Sequence, residues 1–189
     1  MAIFRFLEQI HELVFSMLQR FAGSWFLGLS SRLIFSSVLL MYFINSARTK
    51  VGSGFPDVLI PGSGAYMQII PAVAAARDYD IDAIALIPYG LVVYMGTYAE
   101  FILPVLILAG LFTRIASIGM LGFIAVMTYV DITLHNVGAE TIGTFFDRVQ
   151  NSAISDQRLL WAFPLIYLIL KGAGTLSLDQ LLSRSNKGV

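Results

Sequence analysis

From Ile3 to Phe21, apolar side chains recur at helical spacing: Ile3, Phe6, Leu7, Ile10, Leu13, Val14, Met17, Leu18 and Phe21. Arg5, Glu8, Gln9, Glu12, Ser16 and Arg20 take the opposite side. That stripe predicts an amphipathic helix lying in a membrane interface, with a lead-in to residue 24. Glu8, Gln9, His11 and Glu12 interrupt the apolar run that a cleaved signal peptide needs, so the segment is expected to stay on the mature protein. The pattern then changes. Four stretches, about 25–44, 83–111, 115–134 and 159–176, are apolar on every side. At about 1.5 Å per residue, each is near or above the length that crosses roughly 30 Å of hydrocarbon.

Between the first two stretches, Asn45 to Asp82 is punctuated by glycine and proline and reads as an extramembrane loop whose Tyr66 to Ala76 part rests on the membrane surface. A tight turn at Phe112, Thr113 and Arg114 joins the second and third stretches. The connection from His135 to Gln157 is polar, and residues 177–189 read as a short polar tail. The expected fold is therefore all-α: an integral membrane four-helix bundle with an N-terminal amphipathic interfacial helix.

Composition agrees, since 57% of the 189 residues are hydrophobic and the mean hydropathy is +0.78, values that call for lipid as solvent. The formal net charge is zero, so nothing points to nucleic acid as a partner; the lipid bilayer is the expected one. Cysteine is absent, which excludes disulfides, thiolate metal sites and thiol exchange on this chain. Four spans place both termini on one side. Arg5, Arg20, Arg114, Lys171, Arg184 and Lys187 on that side face Arg48, Lys50, Arg77, Arg148 and Arg158 on the other, while the loop side holds most acidic residues. The expectation is a multi-pass protein of the cell inner (cytoplasmic) membrane with cytoplasmic termini.

Ionisable groups at membrane depth need a partner or water, and Arg32 and Glu100 are such groups. Counted from the cytoplasmic ends of their spans, both lie roughly 10 to 16 Å deep, which predicts that they meet as a bidentate pair. Ser36, one turn from Arg32, and Thr97, three residues before Glu100, are the expected hydrogen-bond partners. Pro104 cannot donate to the carbonyl of Glu100, and Gly96 opens space on the same side. The pair either clamps two helices together or lines a polar site for a ligand headgroup or a proton path.

Tyr42, Tyr89, Tyr94, Tyr98 and Tyr129 form an aromatic belt in the simpler reading. Tyr94 and Tyr98, one turn apart beside Glu100, are the candidates for the site itself. His11 and His135 fall at opposite ends of the spans, which leaves no bis-histidine haem; Asp131 and His135, four residues apart, read as a solvated or hydrogen-bonded pair rather than a metal site. No cofactor is expected to be held covalently or by metal ligation.

These residues carry a resemblance to a known family. RLIFSSVLLMYF with Arg32, AEFILPVLILAGLFTRIASIGMLG with Glu100, Gly110, Thr113 and Arg114, and GAGTLSLD with Gly172, Gly174, Ser177 and Asp179 resemble the DoxX family of small four-helix membrane proteins. Where that family closes its first span with a glycine and a lysine, this chain offers Asn45 and Arg48, followed by a long loop. The resemblance implies a quinone-linked subunit, or an anchor for a redox or oxidative-stress enzyme complex. Arg32, Ser36, Tyr94, Thr97, Tyr98, Glu100 and Arg114 would then be the ligand-binding or intramembrane polar site, with no catalytic group complete on this chain. Electrons would have to come from a partner subunit or a diffusible donor. A purely structural assembly protein and a small-solute or proton transporter are the alternatives, and self-association is compatible with each.

Overall fold

Proline and glycine set most helix boundaries in the computed structural model, which describes residues 2–185. Lys187, counted above on the side of the termini, lies outside the described residues. Helix α1 (Ala2–Ala22) buries none of its described side chains. After Gly23 to Trp25 the chain enters α2 (Phe26–Arg48), one turn longer at its C-terminal end than the hydrophobic pattern indicates. Two short helices follow, α3 (Ser63–Ile69) and α4 (Pro71–Ala75), split at Ile70 because Pro71 can open a helix but not continue one.

The expected second span over 83–111 is not one continuous helix. Ile87 is extended (φ −114°, ψ 125°), the conformation a following proline imposes, and the regular helix α5 runs from Leu91 to Ala109. It stops at Gly110, whose φ of +70° is the left-handed cap that glycine adopts freely. Helix α6 (Thr113–Thr133) starts three residues later, and the one-turn α7 (Ala139–Ile142) interrupts the polar connection. Helix α8 (Ser155–Lys171) begins four residues before the expected span and ends five residues earlier, at Gly172 with φ +83°. The tail read as merely polar contains a further helix, α9 (Leu178–Ser185).

Three stretches among the described residues are long and apolar enough to cross a membrane: Phe26–Arg48, Leu86–Ala109 and Thr113–Thr133. Helix α2 packs against α5 and α8, and α6 packs against the same two. Their shared core is Phe35, Leu39 and Phe43 from α2, Ile107 from α5, Ala116, Met120 and Ile124 from α6, and Leu165 and Leu168 from α8. The outward faces stay apolar, with Ile34, Val38, Ile102, Val105, Ile118, Phe163 and Ile166 exposed. A soluble protein does not present such surface on every side, so this is a membrane protein.

A second, smaller core joins the long loop to α5 through Ala65, Tyr66, Ile84 and Val93. The loop therefore folds back as a cover on the helices, with Ala65, Tyr66 and Ala74 buried. Burial pushes the Tyr66 phenol above its ordinary pKa, with Tyr94 and Asp82 adding to the shift.

Candidate functional site

Two polar clusters occupy opposite ends of the helices. At the end bearing the termini, Arg32 is buried and donates to four backbone carbonyls. Its Nε reaches Ile107 O at 3.1 Å and its Nη2 reaches Leu108 O at 2.6 Å; its Nη1 reaches Leu176 O at 2.6 Å and Ala173 O at 3.4 Å. The first two carbonyls belong to the last turn of α5, where the helix dipole also favours a cation; Ile107 O accepts from the Gly110 N–H as well, at 3.1 Å. The other two belong to the segment after α8. Asp179 completes the arrangement by accepting from the N–H groups of Phe112 (2.7 Å) and Thr113 (3.0 Å), the open N-terminus of α6. A Cβ on Gly110 would lie 2.8 Å from Arg32 Cζ and 2.7 Å from Ser177 Cβ, so only glycine fits between them.

The expected Arg32–Glu100 pair does not form. Ile107 lies seven residues beyond Glu100, about 10 Å along the helix, so Arg32 sits much nearer the end of α5 than Glu100 does. Direction widens that gap. Helical side chains lean toward the N-terminus of their own helix, and α2 and α5 run antiparallel, so the two groups lean apart.

Glu100 instead pairs with Lys50. The Lys50 ammonium lies 2.9 Å from Glu100 Oε2 and 2.8 Å from Ser46 Oγ, and both charged side chains are about 95% buried. Lys50 follows the end of α2 and reaches back one turn to Ser46, while Glu100 leans toward the N-terminus of α5 to meet it. The cation that meets Glu100 is thus Lys50, two residues beyond the end of α2 at Arg48. Nothing in hydrophobic periodicity marked it, because a lysine after a span normally turns outward to the headgroups.

The pair lines a cavity of about 570 Å³. Ser46 and Tyr42 from α2, Gln68 and Ile69 from α3, and Asp131 and His135 from the end of α6 share its loop-side wall. Toward the middle of the helices it is bounded by Ala99 and Leu103 of α5 and by Gly119, Phe123 and Met127 of α6. Met95 and Val126, both well exposed, border it as well, so it opens sideways between α5 and α6 onto the apolar outer surface. Gly96 fits closely under Ile69, where a Cβ would come within 3.0 Å of its Cδ1, which seats the cover from α3 against α5.

A second ion pair adjoins this cavity. Arg158 of α8 donates through Nη2 to Asp131 Oδ2 and through Nη1 to Thr128 Oγ1, tying α8 to α6. Asp131 and His135 do not bond each other: Asp131 takes Arg158, and His135 Nε2 lies 3.3 Å from Gln68 O.

Of the other expected site residues, Ser36 and Thr97 are buried with hydroxyls that have no partner among the described residues, so neither serves the ion pair. Tyr94 and Tyr98 stack with ring centroids 6.5 Å apart, but Tyr98 donates to Leu59 O at 2.6 Å and holds the loop instead of lining the cavity. Arg114 lies at the opposite end, with Nη2 3.4 Å from Leu170 O. The sequence pattern places none of Lys50, Ser46, Gln68 and Arg158 at a site, and it makes Asp131 a solvated or hydrogen-bonded partner of His135. Each sits at or beyond a helix end, where sequence spacing no longer fixes which way a side chain turns.

The chain matches no protein-family model, no curated protein and no solved structure. Its function has to be read from its own residues.

Proposed function

We propose that this chain is a DoxX-like subunit of the inner membrane that binds a quinone-class ligand, with its polar head at the Lys50–Glu100 pair and its tail leaving between α5 and α6. The supporting observation is the cavity itself: a sideways-opening, largely apolar space with one buried ion pair at its closed end. Ligand sites of this size are mostly apolar with a few convergent polar groups. A lysine ammonium can donate to a ring carbonyl, and a carboxylate beside it can accept or return a proton. The chain carries no thiol, so a redox partner subunit or diffusible donor supplies the electrons.

In this reading α8 is the fourth span of a membrane bundle. Its 17 residues cover about 25 Å, at the short end of the spanning range, and Leu159, Leu160, Phe163, Ile166 and Leu170 face outward. Helix α1 lies in the interface on the cytoplasmic side, its apolar stripe in the acyl region. A through-path for solute is disfavoured by the fully buried apolar core of Phe35, Leu39, Ile107, Met120 and Leu168 between the two polar ends.

The test is purification in native lipid, extraction of bound quinone for mass spectrometry and identification of copurifying subunits. Stoichiometric quinone in the wild type, lost in a folded Glu100→Gln variant, is expected. An empty cavity in a protein that still holds a stable partner would make the chain an anchor or assembly subunit and refute ligand binding.

A further inference from the structure

We infer that the end bearing the termini carries a separate site for the phosphate of an anionic membrane lipid, centred on Arg114 and Lys171. A recess of about 620 Å³ opens there, lined by both cations, by the turn at Gly23 and Ser24 before α2, and by Gly172 to Thr175 after α8. Four observations converge on an anion.

Arg114 and Lys171 come from the first turn of α6 and the last turn of α8, so both stand at the membrane face where headgroups lie. Neither is within salt-bridge distance of a carboxylate among the described residues. Among the described residues Arg114 hydrogen-bonds only to Leu170 O, at 3.4 Å, which leaves most of its donor fork open. The one carboxylate lining the recess, Asp179, already accepts from the N–H groups of Phe112 and Thr113 and does not neutralise either cation.

The backbone makes room for such a group. A Cβ on Gly172, which has φ +83°, would sit 3.5 Å from Arg114 Nε, so glycine leaves the flank of the guanidinium bare. Thr113 also lines the recess and has a buried hydroxyl without a partner among the described residues. A guanidinium recognises phosphate oxygens through two parallel N–H donors, an ammonium adds a point charge, and basic recesses between spans on the cytoplasmic side take anionic headgroups. This site lies at the opposite end of the helices from the Lys50–Glu100 cavity and does not depend on what that cavity binds.

Full-length protein in phosphatidylcholine nanodiscs, titrated with phosphatidylglycerol and followed by thermal unfolding, tests the assignment. The wild type is expected to gain thermal stability as the anionic lipid is added. Each neutralised cation should weaken the response about fivefold, equivalent to ~1 kcal/mol, so Arg114→Gln/Lys171→Gln should show almost none. An equal gain in that double variant overturns the site. An equal gain with inorganic phosphate in plain phosphatidylcholine would overturn the lipid as its source. Should Arg114→Gln fail to fold, Lys171→Gln with mass spectrometry of retained phosphatidylglycerol decides, because unchanged retention also overturns the proposal.

Discussion

The two ends of this helical assembly treat buried charge in opposite ways. Around Arg32 the donors are met by main-chain carbonyls of the last turn of α5 and of the segment after α8, and Asp179 is met by main-chain N–H groups. Such a cluster closes helix ends and leaves Arg32 and Asp179 themselves little capacity to bind a ligand, unlike Arg114 and Lys171 in the recess beside them. Around Glu100 the charges meet each other as side chains beside an open cavity, with Asp131 and His135 on the same wall. A buried charge satisfied by backbone is a structural device, whereas a buried pair facing empty space can exchange its partner for a ligand.

The strongest challenge to that contrast is to remove Arg32. Arg32→Met should cost more than about 3 kcal/mol, since it strands several carbonyls that accept from a charged donor. Arg32→Lys should rescue little, because an ammonium lacks the fork that reaches both segments. Thermal unfolding in detergent measures both, and a mild Arg32→Met phenotype would contradict a structural role.

Lys50 comes next. Lys50→Met alone should destabilise by about 3–5 kcal/mol, because it leaves the buried Glu100 carboxylate unpaired. Combined with Glu100→Leu, most of that loss should return, since matched apolar replacements of a buried pair are near neutral. If the double variant is as unstable as the single, the pair is not an isolated unit.

The smallest effect on stability should come from Gly119→Leu, which places a side chain at the cavity wall beside Leu103. A cost of about 1–3 kcal/mol is expected from local overpacking, with ligand occupancy falling far more than stability. Extracted quinone measured against the unfolding midpoint separates the two, and unchanged occupancy would place the ligand elsewhere.

The motifs behind the family resemblance have a plain physical reading. Arg32, Gly110, Thr113, Ser177 and Asp179 are scattered over the sequence, yet all belong to the structural end: Asp179 caps α6 at Thr113, and Gly110 makes room for Arg32 and Ser177. The residues most visible as motifs therefore hold the helices together, and only Glu100 among the conspicuous charges reaches the cavity.

The sequence alone determined the solvent and the long apolar helices, but not the break at Ile87 or the helix α9 in the tail. Apolar runs this long in a chain of this size call for lipid, and Pro71, Pro88, Gly110 and Gly172 mark helix breaks through their backbone chemistry, although Pro104 and Pro164 are carried inside α5 and α8. Tertiary structure decided which charges meet. Depth counted from span ends placed Arg32 and Glu100 together, but antiparallel helices aim those side chains apart, and Lys50 and Arg158 reach carboxylates from helix ends whose direction local periodicity does not encode.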